Sequence, residues 1–236
     1  MSDGETEPAF DITPEARGTL RAVLELLACD PATPSAVRDP GRGWRIHVAD
    51  SLTGLEVKEL RRAHRIADVG AGAGFPGLVL AVVLPEARVD LIESVGRKCE
   101  FIRRATGVAR IENARVVCER AETWAMEPEP SGGRGAYDAV TARAVGRLAT
   151  LAELASPLLV EGGTLVAWKG RRDGDEEDEV RRAAGRLGME LADVRWVGPY
   201  AGSEHRHLHV LRKRGPTPEG LPRRPGMAKK RPFGRM

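Results

Sequence analysis

The chain has 236 residues, with 37 Lys and Arg against 34 Asp and Glu, a formal net charge of only +3. That near-balance conceals an asymmetry, because residues 206–236 carry ten basic side chains and one acid, and the preceding part of the chain is net acidic. At 42% hydrophobic and 30% charged the chain is long and apolar enough for one globular domain with a substantial core, which excludes the disordered classes. No apolar run approaches the roughly 18 residues of a membrane helix. The acidic N-terminus lacks the apolar segment of a secretory signal. Cys29, Cys99 and Cys118 are odd in number and have no C-x-x-C spacing, which argues against a disulfide framework or a zinc site and for a reducing, cytoplasmic location. A basic terminal segment points to phosphate, on nucleic acid or an anionic membrane. Because 31 of the 37 basic residues are Arg, spread along the chain, a compositional bias inflates any local patch.

Taken in chain order, residues 1–12 are expected to be disordered. Thr13 then caps a helix with Pro14 at its first position and Glu15 at the positive end of the dipole. That helix runs to about Ala28, with Leu20, Val23, Leu24 and Leu27 on one stripe. Pro31, Pro34, Pro40 and Gly41 break the chain before a short helical stretch over 44–52, so 13–60 reads as a helical extension. From 61 to 214 strand and helix patterns alternate. Strands are expected at 65–69, 88–92, 114–117, 137–141, 163–168, 191–197 and 207–213, and helices at 77–84, 95–106, 147–157 and 176–187. Such alternation predicts an α/β fold with a doubly wound, mostly parallel sheet. The charged stretch 171–179 reads as a solvated loop and helix start, and 215–236 as a basic tail.

The densest signal is Gly70-Ala71-Gly72-Ala73-Gly74-Phe75-Pro76-Gly77, between the first strand of the core and the next helix. Glycines there let a ligand approach the backbone closely. Two cofactors fit. Gly72, Gly74 and Gly77 match the dinucleotide pattern G-x-G-x-x-G, with Glu93 following at the end of the next strand to hold a ribose. Asp68, Gly70, Gly72 and Gly74 match the Asp-x-Gly-x-Gly-x-Gly of an S-adenosylmethionine site, again with Glu93 on the ribose hydroxyls. Three features favour the second. Asp68 beside the loop suits a cationic ligand better than a pyrophosphate, and Pro76 removes an N–H that a pyrophosphate would use. Ala121-Glu122 after the third strand can supply a polar contact to adenine.

The acceptor is narrowed by what is missing. Thr141-Ala142-Arg143-Ala144 stands where exocyclic-amine methylases carry Asn/Asp-Pro-Pro-aromatic. None of the three cysteines stands where a carbon-5 methylase needs its nucleophile. No general base stands out near the loop, which suits an acceptor with a free lone pair, such as guanine N7, that needs only positioning. Arg143 at a strand end is placed to hold phosphate or a guanine edge. His205, His207 and His209 alternate, but Arg206 beside them and the lack of a nearby Asp or Cys argue against a metal. His47 and Asp50, three apart, are expected to pair with each other.

These residues resemble the bacterial 16S ribosomal RNA guanine-N7 methyltransferases, the glucose-inhibited division protein B family. The resemblance spans about residue 36 to the C-terminus. It rests on His47-x-x-Asp50-Ser51-Leu52, on residues 68–77, Glu93-Ser94, Arg120-Ala121-Glu122, Thr141-Ala142-Arg143-Ala144, Lys169-Gly170, Arg206-His207-Leu208 and Pro222-Arg223-Arg224-Pro225-Gly226. It implies a class I, Rossmann-like methyltransferase fold and methyl transfer from S-adenosylmethionine to N7 of the guanine at position 527 of 16S rRNA, free or in the small subunit. It also implies that Gly70, Phe75, Ala121, Glu122 and Arg143 line the cofactor site, beside Gly72, Gly74 and Glu93, with Arg143 serving catalysis as well. Lys169, Arg206, Arg223, Arg224, Lys229 and Lys230 are the cations expected to meet RNA, and a monomer without a membrane partner is expected. The chain departs from the family at Pro34-Ser35-Ala36-Val37, where many members carry Asn-Leu-Thr, and at Leu221, often Tyr.

Overall fold

The computed structural model describes residues 10, 12–31 and 33–234. Most of the stretch expected to be disordered, 1–12, lies outside the described residues. Phe10 and Ile12, however, pack against the core.

A seven-stranded sheet forms the centre. Its strands are β1 (Arg65–Val69), β2 (Arg88–Ile92), β3 (Ala114–Val117), β4 (Tyr137–Arg143), β5 (Leu159–Lys169), β6 (Met189–Trp196) and β7 (His207–Lys213), in the order β3-β2-β1-β4-β5-β7-β6. The pairs from β3 to β5 are parallel, and β7 runs antiparallel to both β5 and β6. Helices cover both faces, as a mostly parallel sheet requires. One face packs the N-terminal helix Pro14–Cys29 and the helices Gly77–Val83 and Gly96–Val108, through Leu20, Leu24, Leu78, Leu80, Phe101 and Ile102. The other packs the helices Leu148–Ala155 and Gly174–Ala184, through Leu148, Leu151, Val180 and Ala183. Along β1 the alternation is direct: Ile66 belongs to the first core and Ala67 and Val69 to the second.

Strand order reverses beside β1, whose neighbours are β2 and β4, and the crevice outside such a switch point is where open α/β sheets bind ligands. The glycine loop leaves β1 there, and Arg143 is the last residue of β4. Because β7 is antiparallel, its start lies at the same edge: His207 pairs with Lys169, which brings Arg206 beside the end of β5.

Residues 40–61 are a succession of short helical turns. A wide π-type turn, Trp44–Ala49, continues directly into Asp50–Leu52 and a 3-10 turn at Thr53–Glu56. The charged stretch 171–179 differs from expectation. Glu176, Glu177 and Glu179 are buried, not solvated, and pair with Lys169, with Arg172 and His209, and with Arg147. Apolar periodicity does not register acids that turn inward on tertiary partners.

Candidate active site at the switch point

The loop after β1 is braced from below. Asp68, 1% exposed, accepts from Gly77 N at 2.9 Å and from Thr141 Oγ1 at 2.9 Å. Burial raises its pKa to about 6, against the lowering effect of those two donors. A side chain at Gly77 would put Cβ 2.8 Å from Asp68 Oδ2, so only glycine lets the helix start this close to the carboxylate. Asp68 therefore caps the helix following the loop instead of facing a ligand, which corrects the expectation that it meets the cofactor's charge. The same contact separates the two cofactor readings. A dinucleotide pyrophosphate needs the free N–H groups of that helix start, and here Pro76 has none and Gly77's is taken.

Gly72 holds φ of +63°, and a Cβ there would meet only Gly70 O, at 3.8 Å, in ordinary contact. Its N–H donates to Glu93 Oε2 at 3.1 Å, and Glu93 Oε1 accepts from Val95 N at 2.9 Å. Two cavities meet at Gly70. The larger, about 500 Å³, is lined by His47, Asp50, Gly72, Phe75, Arg143 and Arg206, with Trp168 and Lys169 behind. The smaller, about 170 Å³, is lined by Glu93, Ala121, Glu122, Val145, Gly226 and Lys229. Gly74 backs the loop, its Cα side closed by Leu78.

In the larger cavity Arg143 is the hub. Its Nη1 donates to Asp50 Oδ2 at 2.9 Å and to Ile46 O at 3.2 Å, and its Nη2 lies 3.4 Å from His47 Nδ1. The His47 ring stacks on Phe75 with centroids 4.7 Å apart and planes 9° apart, and the Arg143 guanidinium stands 5.8 Å from the Phe75 centroid. His47 Nε2 is 3.1 Å from Ser35 Oγ. With Nδ1 accepting from Arg143, the neutral ring donates from Nε2. Burial, and then the charge of Arg143, hold the His47 pKa down to about 4, so the ring is neutral at pH 7. His47 and Asp50, expected to pair with each other, are instead joined through Arg143. Arg206 Nε reaches Asp50 Oδ1 at 3.6 Å.

Three further residues of this site were given no role from the sequence, although Ser35 and Ala144 stand in stretches compared with the family. Trp168 donates from Nε1 to Asp50 O at 2.8 Å and to Thr53 Oγ1 at 3.2 Å. Ser35 orients His47, and Ala144 lines the cavity in a left-handed conformation, φ +58°. Trp168 stands next to the Lys169-Gly170 motif, which was the available signal; Ser35 lies where the chain departs from the family pattern.

The cations expected to meet RNA divide into two groups. Arg224, Lys229 and Lys230 are exposed, and Arg206 lies at the rim of the larger cavity. Lys169 is held by Glu176 Oε1 at 2.7 Å and Gly146 O at 2.9 Å. Arg223 is committed inside the protein, with Nε and Nη2 each 2.5 Å from an oxygen of Glu153. The three histidines of the β7 region also disperse: His209 meets Glu177, His207 meets Gly170 O, and His205 meets Arg171.

Residues 34–207 match the family described as rRNA small subunit methyltransferase G. The chain belongs to this family. It is similar to the ribosomal RNA small subunit methyltransferase G of Rubrobacter xylanophilus, 44% identical over 202 residues that cover 83% of this chain and 75% of the relative. With the Thermotoga neapolitana member it shares 40% identity over 215 residues, 91% of this chain and 90% of the relative. Among solved structures, a mutant of MtNAS in complex with S-adenosylmethionine superposes with a TM-score of 0.55 at 13% identity, covering 85% of this chain and 72% of that one, a likeness of fold. The protein is thus a methyltransferase of the rRNA small subunit methyltransferase G family. Among the described residues no helix is long and apolar enough to cross a membrane.

Proposed function

We propose that the protein transfers a methyl group from S-adenosylmethionine to N7 of a guanine in 16S rRNA. The observation that carries the acceptor chemistry is the state of the larger cavity's proton acceptors. Of the described residues lining it, only His47 and Asp50 are bases available at neutral pH. His47, with a pKa of about 4, is too weak a base, and Asp50 is engaged by two guanidiniums. A hydroxyl acceptor needs such a base to take its proton as it attacks, and an amine acceptor must shed one to a base or to solvent. Guanine N7 carries a lone pair and loses none.

The residues present fit the cofactor. Glu93 lines the smaller cavity and accepts from Gly72 N of the larger, and the two cavities, which share Gly70, would take the nucleoside end and the amino-acid end of the cofactor. When bound, S-adenosylmethionine supplies an electrophilic methyl group on a sulfonium sulfur. Glu93 would accept from its ribose hydroxyls, Ala121 and Glu122 would face its adenine, and Gly70, Gly72 and Gly74 would let the loop backbone approach it. Arg143 would hold the cofactor carboxylate and the acceptor purine's Hoogsteen edge. The Phe75–His47 stack provides an aromatic wall for a base splayed out of folded RNA. Asp50 and Trp168 hold Arg143 in line, which is a positioning contribution. As the N7–CH3 bond forms, the bond from methyl carbon to sulfur breaks, its electron pair stays on sulfur, and the positive charge passes to the base.

Calorimetric titration with S-adenosylhomocysteine and with NAD tests the cofactor reading. S-adenosylhomocysteine is expected to bind and NAD is not; the reverse would overturn it.

A further inference from the structure

The chain's own C-terminal segment forms part of the lining of the smaller cavity. Gly226, Ala228 and Lys229 line it together with Glu93, Ala121 and Glu122. Several independent attachments hold the segment there. Gly226 N donates to Glu122 Oε1 at 2.7 Å, and Thr150 Oγ1 donates to Ala228 O at 3.1 Å. Arg134 Nη1 donates to Leu221 O at 2.9 Å. Arg223 is forked onto Glu153, which is 2% exposed, and its Nη2 also donates to Arg231 O at 2.8 Å, closing the segment into a loop. Phe233 lies against the guanidiniums of both Arg223 and Arg186, 4.1 and 4.6 Å from its centroid.

This is more anchoring than a free phosphate-seeking arm requires. A forked, buried Arg–carboxylate pair fixes both position and orientation. Gly226, at φ +84°, presents its N–H to the carboxylate of Glu122, which sits on a helix of only four residues, Ala121–Trp124. The cations on the segment are divided accordingly. Arg223 turns inward, whereas Arg224, Lys229 and Lys230 are exposed.

We propose that residues 222–233 form a wall of the cofactor site, in which Arg223 clamps the segment and Gly226 positions Glu122 toward the adenosine. Both are positioning residues, acting through Glu122. The proposal rests on the cofactor reading above.

The test uses the full-length protein and S-adenosylhomocysteine as probe. In Arg223→Ala the Kd for the probe is expected to rise about tenfold or more, with partial recovery in Arg223→Lys. Gly226→Ala, where a Cβ meets nothing within 4 Å and only the backbone conformation is penalised, is expected to weaken binding about threefold. Affinity for a small-subunit RNA fragment is expected to change by less than about twofold in Arg223→Ala, since that guanidinium is forked onto the carboxylate of Glu153. In the wild type, the probe is expected to slow amide exchange over 222–231, a readout that holds even if Arg223→Ala fails to fold. Unchanged probe affinity in both variants, or unchanged exchange in the wild type with probe bound, would overturn the proposal while leaving the cofactor reading intact. A wild type that binds no probe would overturn both.

Discussion

Asp50 Oδ2 stands 2.9 Å from Nη1 of Arg143, joining positions 93 residues apart in the chain. The carboxylate is 4% exposed, and its other oxygen faces Arg206 Nε at 3.6 Å. One buried acid thus holds two guanidiniums, one from the end of β4 and one from just before β7. Asp50→Asn keeps the shape and removes the charge, and is expected to lower kcat by about 10- to 100-fold with a smaller change in KM for the cofactor. Steady-state kinetics on a variant shown to be folded by circular dichroism checks this. An unchanged kcat would mean that Arg143 is held well enough without it.

The stacked His47 makes acid stability a readout of the same site. Its folded pKa, about 4, lies below the ordinary 6.5, because burial and the Arg143 charge disfavour the imidazolium. Its contribution is therefore complete above pH 6.5 and is lost as the pH falls through 4. Asp68 acts with the opposite sign. Its pKa is raised from 3.8 to about 6, so its contribution is complete below 3.8 and lost as the pH rises through 6. Replacing His47 isolates one slope. Between pH 7.5 and 4.5 the wild type is expected to lose about 2 kcal/mol more urea-unfolding stability than His47→Phe. Equal losses would place His47 in a more solvated setting.

Thr141 is the residue whose removal leaves Asp68 least satisfied, since the hydroxyl supplies one of its two donors. Thr141→Val preserves volume and is expected to cost roughly 1–3 kcal/mol, the range for leaving a buried acceptor unpaired. A thermal midpoint lowered by several degrees is the corresponding observation.

The cations on the exposed side of the C-terminal segment behave differently from those inside. Lys229→Ala with Lys230→Ala is expected to weaken RNA binding and to flatten the dependence of log K on log salt by about 0.7–0.9 for each phosphate no longer neutralised. Arg143→Ala is expected to reduce turnover far more than RNA affinity. Filter binding across a salt series, paired with single-turnover rates, separates the two. Equal effects of both substitutions on binding and rate would show the division to be wrong.

The fold was legible where hydrophobic runs end at clear turn residues. β2, β3 and β7 run over the expected residues, and Thr13 caps the first helix as anticipated. β5 begins four residues earlier than expected, at Leu159, because Gly162 and Gly163 read as a break in a strand that passes through them. Within the site, the glycine loop and Glu93 could be read from spacing alone, since both belong to one strand–turn–helix–strand unit. The grip of Asp50 on Arg143, the inward turn of Glu176, Glu177 and Glu179, and the burial of Arg223 on Glu153 could not. Each depends on a partner brought near by tertiary packing, and a charged residue reads as surface until that partner is located. The π-type turn at Trp44–Ala49, which belongs to the segment carrying both His47 and Asp50 to the cavity, has no periodicity that distinguishes it from an ordinary helix.

The central claim is methyl transfer to guanine N7, and the measurement that meets it directly is product mapping. Small-subunit rRNA from cells lacking the protein, as naked RNA and as assembled subunits, is incubated with the protein and methyl-labelled S-adenosylmethionine. The labelled nucleotide is then located by the chain cleavage to which N7-methylguanine is susceptible. The account predicts label at one guanine, at N7, and its loss with Arg143→Ala. Label on an exocyclic amine, a ribose hydroxyl or a pyrimidine carbon, or no label from a protein that binds S-adenosylhomocysteine, would contradict it.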